Sequence, residues 1–371
     1  MAHATTTDED RAHMRSALAL GRRGLGTVWP NPAVGCVIVN DGRVVGRGFT
    51  QPGGRPHAET EALAMAGEAA RGATAYVTLE PCAHHGKTPP CAEALVAAGI
   101  ARVVAAIEDP DPRTAGKGLD ILRAAGIAVS SGLCRDEAAE VNAGFFMKVA
   151  EGRPLVTLKL ATTLDGRIAT HAGESKWITG EASRAAGHLL RAEYDAIMVG
   201  SGTALADDPE LTCRLPGLGE RSPVRVVVDG RLRLPLTSKL VATASETPTW
   251  VLTLEGGDPD RVQAFQDAGV DLIELPPGPD HSIDLRAALR ALAESDVTRV
   301  LVEGGAHLAA ALLRDGLVDR MVWFRSARLI GGDGLPAAVS FGVDRLEQAP
   351  RFERVEIIPV GDDVMETYKK I

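Results

Sequence analysis

Apolar and polar positions along the chain switch between two periods, and each switch marks an element. Residues 9–24 carry apolar side chains at helical spacing, which predicts an amphipathic helix. AVGCVIVNDGRVVGRGF (33–49) places two apolar runs around Asn40-Asp41-Gly42, the signal of a β-hairpin. HAETEALAMAGEAARG (57–72) predicts a helix, with Ala62, Leu63, Ala66 and Ala69 near helical spacing and Gly72 as its stop. ATAYVTLE (73–80) predicts a short buried strand and CAEALVAAG (91–99) a helix. ARVVAAIEDP (101–110) predicts a strand, then a helix ends near Gly126 and IAVSSGL (127–133) gives another strand. Strands alternating with helices predict an α/β layered fold.

Gly152-Arg153-Pro154 separates a helix expected over 136–150 from a new strand, LVTLKLA (155–161). Here a second α/β alternation begins. DAIMVGSGTAL, VRVVVDG, TWVLTL, RVLVEGGAHLAAALL and RMVWFRSARLIG read as strands, several followed by helices or loops. The boundary falls between 149 and 155, giving units 1–150 and 151–371. The 371 residues exceed what one compact core usually holds, which agrees with two domains.

Net charge is −9, which argues against nucleic acid as a partner through a broad basic surface. No apolar run reaches membrane-spanning length, and the acidic N-terminal stretch lacks a signal-peptide pattern. The expectation is a cytoplasmic protein with no membrane partner. Five cysteines in that compartment suggest metal or thiol chemistry rather than a disulfide framework.

PCAHHGKTPPC (81–91) raises the first chemical question. His57, Cys82 and Cys91 supply one imidazole and two thiolates, which is the ligand set of a zinc site with one open position. Glu59, two residues past His57, need not bind metal and is placed to carry a proton from water to a leaving amine. His-x-Glu with Pro-Cys-x-x-Cys is the pattern of zinc nucleobase deaminases. Here eight residues separate the cysteines, and that longer loop carries His84, His85 and Lys87. The lysine suggests an anionic group such as phosphate. Two plainer readings stay open on the sequence. One is a closed structural zinc site with His84 or His85 as fourth ligand, and the other is a Cys82–Cys91 disulfide. Cys36 reads as a buried core thiol, and Cys134 and Cys213 as incidental.

WPNPAVGCVIV, HAE, ATAYVTLEPCAHHGKTPPC and DPDPRTAGKG together resemble the bifunctional deaminase–reductases of riboflavin biosynthesis, over nearly the whole chain. The resemblance implies a cytidine-deaminase-like N-terminal domain and a dihydrofolate-reductase-like C-terminal domain. It implies hydrolytic deamination of a diaminohydroxypyrimidine with a phosphoribosylamino arm, then NADPH-dependent reduction of the ribosyl group to a ribityl group. By motif, His57, Cys82 and Cys91 would hold zinc, Glu59 would shuttle protons, Asn31 would touch the pyrimidine and Lys87 the phosphate arm. Relatives also imply a homo-oligomer. Many of them have a histidine seven residues before the zinc-binding one, where this chain has Thr50.

The second half has no Gly-x-Gly-x-x-Gly. Glu303-Gly304-Gly305 lets backbone approach a ligand at a helix start, although such turns are common in α/β proteins. LKLATTLDGRIAT puts Lys159, Asp165 and Arg167 beside a strand end, and VGSGTALADDPELTCR reads as a glycine turn followed by acidic residues. The resemblance implies that Ala161, Trp177, Thr203, Asp207 and Gly305 line the cofactor. Ser175, Arg191, Arg214 and Glu303 would hold the substrate, with the arginines on its phosphate and Leu211 packing beside them. Two rivals differ in class. A nucleoside or tRNA-base deaminase is disfavoured by the acidic charge and the Lys87 loop, and a zinc-stabilised sensor gives Glu59 no task.

Overall fold

The computed structural model of the chain describes residues 7–85 and 89–371. Lys87 lies outside the described residues. The chain divides into two compact units, Met1–Gly152 and Arg153–Ile371.

In the first unit α1 (Asp8–Arg22) precedes a hairpin of β1 (Gly35–Asn40) and β2 (Arg43–Phe49). Then come α2 (Ala58–Ala66), β3 (Thr74–Val77), α3 (Cys91–Ala97), β4 (Arg102–Ala105) and α4 (Lys117–Ala124). The unit closes with β5 (Ala128–Ser131), α5 (Arg135–Val141) and α6 (Ala143–Glu151). The sheet order is β2-β1-β3-β4-β5, with β3, β4 and β5 parallel.

Period-two alternation sorts the strand residues between two cores. Cys36, Ile38, Ala75, Val77, Val103 and Ala105 join residues of α2, α3 and α4. Their neighbours Val37, Val39, Tyr76 and Val104 join α1 and α5 on the other face. Helices therefore cover both faces, in the expected α/β/α layering. Cys36 is fully buried, and all five cysteines are unbridged.

Two helix predictions need correction. α2 ends at Ala66, because Gly67 takes φ 53° and a short 3-10 turn carries the chain to Ala70. The helix expected over 136–150 breaks at Asn142. That side chain turns to the Ala33 backbone instead, accepting from its N–H (2.8 Å) and donating to its C=O (3.2 Å).

The position of α2 depends on glycine in β2. A Cβ on Gly48 would lie 2.2 Å from the Ala58 carbonyl oxygen, and one on Gly46 2.2 Å from that of Ala62. Only bare backbone lets the helix seat this closely. Gly48→Ala is expected to displace the start of α2 and cost about 1–3 kcal/mol of stability. A lower melting temperature together with easier zinc loss to a chelator checks this. An unchanged melt would show that the helix shifts freely.

The second unit runs β6 (Leu155–Thr162), β7 (Arg167–Ala169), α7 (Glu181–Glu193), β8 (Ala196–Gly200), α8 (Ser201–Asp207), β9 (Val224–Val228) and α9 (Lys239–Ala242). β10 (Thr249–Leu254), α10 (Pro259–Asp267), β11 (Asp271–Leu275), α11 (Leu285–Glu294), β12 (Arg299–Glu303) and α12 (Ala306–Arg314) follow. The chain then forms β13 (Arg320–Arg325), β14 (Leu335–Pro336) and a hairpin of β15 (Phe352–Val360) and β16 (Asp363–Lys370). The sheet order is β11-β10-β9-β8-β12-β6-β13-β16-β15, parallel through β13 and antiparallel after it. The glycine turn expected after β8 is a helix, since α8 starts at Ser201.

From β8 the chain moves on to β9 on one side, whereas from β12 it moves to β13 on the other. The connections leave in opposite directions, which opens a crevice at the carboxyl ends of β8 and β12. In open α/β sheets ligands bind at such a switch point. No described helix is long and apolar enough to cross a membrane.

Candidate active sites

In the first unit His57 caps the start of α2, Glu59 lies in its first turn, and Cys91 opens α3. Cys82 lies in the loop after β3. His57 Nδ1 is 3.2 Å from Cys91 Sγ and 3.6 Å from Cys82 Sγ, and the three donor atoms lie within 4.8 Å of one another. Tetrahedral zinc at ordinary Zn–N and Zn–S lengths holds such atoms about 3.5–3.8 Å apart. The donor set and its spacing fit zinc. The Cys91 backbone N–H also donates to Cys82 Sγ at 3.2 Å.

Charge in the cluster follows from these contacts. A hydrogen bond from Cys91, with a further one from His57, holds the Cys82 thiol down to about 4, while Cys91 is pushed up. Burial, helped by the negative Cys82, pushes Glu59 up to about 7. Glu59 is 3% exposed, so a group that exchanges protons near neutrality sits beside the cluster and away from bulk water. His84 Nδ1 lies 3.5 Å from Thr114 Oγ1, and His85 pairs with Glu93 at 3.6 Å. Neither belongs to the metal cluster, which leaves the closed structural-zinc reading without its fourth ligand.

Asn31 is half-buried and donates to the Val28 carbonyl. Thr50 is a structural clasp beside it. Its hydroxyl accepts from Val34 N–H (3.0 Å) and donates to the Pro32 carbonyl (3.2 Å). With Asn142 on Ala33, it fixes the strand entry that presents Asn31. Glu80 is a second support that sequence reasoning missed. Its carboxylate accepts from the backbone N–H groups of Asp109, Gly116, Gly118 and Leu119, which ties the DPDPRTAGKG loop to the Cys82 segment. An acidic residue directly before Pro81-Cys82 was the available signal.

In the second unit Glu303 ends β12 and takes a bidentate contact from Arg191 of α7, Nε to Oε1 at 2.7 Å and NH2 to Oε2 at 3.0 Å. Lys159 of β6 stands 3.6 Å from the same carboxylate. Burial pushes Glu303 upward, yet the two cations outweigh it and hold it at about 2. Arg191 also donates to the Thr212 carbonyl. Arg214 is exposed and reaches Glu210 and Thr212. His188, which sequence reasoning missed, has Nδ1 3.2 Å from the Thr212 carbonyl. Burial, with Arg191 and Arg214 nearby, holds its pKa below the ordinary value. Leu211 is 4% exposed and its side chain belongs to the apolar core with Ile197 and Val227, so it packs beneath the loop and not on an open surface.

Of the expected cofactor residues, Thr203 and Gly305 face each other. Gly304 and Gly305 have φ of 82° and 88°, and a Cβ on Gly305 would sit 3.0 Å from Thr203 Oγ1. Bare backbone thus faces Thr203 across the switch point, a cradle that a dinucleotide fits. Ala161 lies near the end of β6, opposite Phe324. Asp207 ends α8, exposed and without a hydrogen bond or ion pair among the described residues. Ser175 and Trp177 sit in the turn before α7; the indole is 60% exposed, with the Arg184 guanidinium 4.7 Å from its ring centre. Asp165 is a clasp, accepting from Ile330 and Gly331 N–H and from the Thr163 hydroxyl.

Comparison with known proteins places both units in known families. Residues 7–107 match the cytidine and deoxycytidylate deaminase zinc-binding region, and residues 154–365 match the RibD C-terminal domain. The riboflavin biosynthesis protein RibD of Escherichia coli (strain K12) is 44% identical, covering 96% of this chain and 98% of that protein. RibD of Aquifex aeolicus (strain VF5) is 40% identical over 97% and 98%. Among solved structures, Acinetobacter baumannii RibD superposes with a TM-score of 0.87 at 41% identity, covering 98% of this chain and 99% of that one. The deaminase/5-amino-6-(5-phosphoribosylamino)uracil reductase of Thermotoga maritima gives 0.85 at 35% identity, with the same coverage.

Proposed function

The chain belongs to the RibD family of riboflavin biosynthesis, and from that premise we propose the roles its own residues take. It is a bifunctional enzyme, a zinc deaminase and an NADPH-dependent reductase in one chain. In our reading residues 1–150 carry the deaminase and 151–371 the reductase. The substrate is a diaminohydroxypyrimidine with a phosphoribosylamino arm.

His57, Cys82 and Cys91 hold zinc, which supplies Lewis-acid activation of water at neutral pH. Glu59 takes the proton of the attacking water and returns it to the departing amino group as ammonia leaves. Asn31 orients the pyrimidine, with Thr50 and Asn142 fixing its backbone, and Lys87 meets the phosphate arm. The observation that carries this reading is the three-donor cluster, with Glu59 two residues past His57 and buried to 3% exposure.

In the second unit NADPH supplies a hydride to the ring-opened ribosyl carbon. Ala161, Trp177, Thr203, Asp207 and Gly305 line the cofactor. Ser175, Arg191, Arg214 and Glu303 hold the substrate, with Leu211 packing beside them, and Arg191 also pairs with Glu303. Both half-reactions take phosphorylated pyrimidines, so two sites on one chain serve consecutive steps. We also infer a cytoplasmic homo-oligomer without a nucleic-acid or membrane partner, on the acidic charge and the family.

Following ammonia release and NADPH absorbance in one cuvette tests this, with zinc-loaded protein and the diaminopyrimidine phosphoribosyl substrate. Ammonia first, with NADPH loss only after deamination, is the expected order. A chelator should stop both signals, while pre-deaminated substrate should restore NADPH loss alone. Neither signal with either substrate would sink the reading.

A further inference from the structure

The chain between β2 and α2 reads TQPGGRPH (50–57) and ends on His57 of the metal cluster. It runs along a second segment, residues 27–34, which carries Asn31. Backbone hydrogen bonds hold the two together. Gly53 N–H donates to the Thr27 carbonyl at 2.8 Å, and Thr50 N–H to the Val34 carbonyl at 2.9 Å. The Thr50 hydroxyl adds its bonds to Val34 and Pro32.

Gly54 makes the closest approach. It is buried, with φ 82°. A Cβ on it would lie 1.9 Å from Asn31 Nδ2, 2.5 Å from Cγ and 2.9 Å from Cβ. The bare α-carbon is therefore a wall on which the Asn31 side chain rests. The amide is also anchored locally, with Nδ2 donating to the Val28 carbonyl at 3.3 Å. Oδ1 has no partner among the described residues, so the amide holds a free acceptor.

The preceding residue supplies the contrast. Gly53 also has a left-handed φ, 75°, but it is exposed, and a Cβ on it would meet nothing within 4 Å. A side chain at either position carries similar backbone strain, and only the one at 54 collides with Asn31. Glycine is needed at 54 for close approach, beyond any need of backbone conformation.

We propose that Gly54 is a positioning residue of the deaminase, whose bare backbone seats the Asn31 amide against the pyrimidine and links it to the loop that delivers His57. This rests on the reading of Asn31 as a pyrimidine contact. The loop backbone is pinned to Thr27 and Val34, whereas the amide is the free end of a side chain. A methyl group at 54 thus displaces Asn31 and not the loop. The amide turns out of its bond to Val28, and the metal donors stay where they are. Misplacing an orienting group by about 1 Å costs about 100-fold in rate.

The test is a double-mutant cycle on the full-length, zinc-loaded protein, read as kcat/KM for ammonia release from the diaminopyrimidine phosphoribosyl substrate. Gly54→Ala should lose about 100-fold with zinc content unchanged. Gly53→Ala should release ammonia as the unmodified protein does. In an Asn31→Ala background, Gly54→Ala should cost less than about twofold further, because the colliding amide is gone, whereas independent effects would multiply. Equal losses from Gly53→Ala and Gly54→Ala, or a full Gly54→Ala loss in the Asn31→Ala background, overturns the proposal. Zinc loss or failure to fold in Gly54→Ala, with Gly53→Ala intact, would put the collision on the loop and overturns it as well. Unchanged ammonia release in Asn31→Ala would instead sink the reading of Asn31 on which the proposal stands.

Discussion

Glu59→Gln should abolish ammonia release while zinc remains bound. The substitution keeps the shape of the side chain and removes its capacity to exchange a proton. General acid–base groups contribute about 10²–10⁴-fold, so a loss of that size is expected in turnover. Glu59 is not among the three clustered donors, so metal content should stay the same. NADPH oxidation with pre-deaminated substrate should continue. Metal analysis beside an ammonia assay decides the matter. Turnover within about tenfold of the unmodified protein would remove Glu59 from proton transfer.

Arg191→Ala should have the largest effect in the second unit. The arginine gives Glu303 two hydrogen bonds at 2.7 and 3.0 Å, and its loss leaves a buried carboxylate facing Lys159 alone at 3.6 Å. Breaking a buried pair on one side costs about 3–5 kcal/mol. Reductase turnover should fall with the melting temperature of this unit, and ammonia release should persist. Equal loss of ammonia release would show that the units do not act independently.

The same group sets a pH dependence. Glu303 is held at about 2, below an unfolded value near 4.3. A depressed carboxylate adds stability that is full above the unfolded value and is lost as pH falls through the folded one. The unmodified second unit should therefore weaken between about pH 4.3 and 2. In Arg191→Ala burial works against one cation instead of two, so the folded value rises and this contribution shrinks. Melting curves from pH 6 to 3 measure it. Identical curves for the two proteins would show that Arg191 does not stabilise the Glu303 charge.

Local chemistry was legible in the chain. His57-Ala58-Glu59, Cys82 and Cys91 stand in short motifs whose ligand types are diagnostic by themselves, because a metal site is defined by donor atoms before it is defined by a fold. The hairpin at Asp41-Gly42 and the alternation in β1, β3 and β4 were equally local, since period-two burial is written residue by residue. The seam at Gly152-Arg153-Pro154 could be read because a glycine and a proline interrupt helical periodicity.

Supports carried by distant residues could not be read that way. Asn142 looked like one more helix residue, yet it clamps Ala33 across 109 positions. Nothing in the chain order of Arg191 and Glu303 shows that the fold pairs them across 112 positions. Thr50 became a backbone clasp, Leu211 a core residue, and Glu80 the anchor of a loop that begins 29 residues later. The second site shows the division most clearly. No glycine fingerprint announces a dinucleotide, because the cradle is made by strand order. β8 and β12 must lie side by side, with their connections departing oppositely, before Thr203 and Gly305 face each other. The sequence by itself determined which donors, proton carriers and strands exist. Tertiary structure alone decided which charges meet, because a buried carboxylate takes its partners from space and not from chain order.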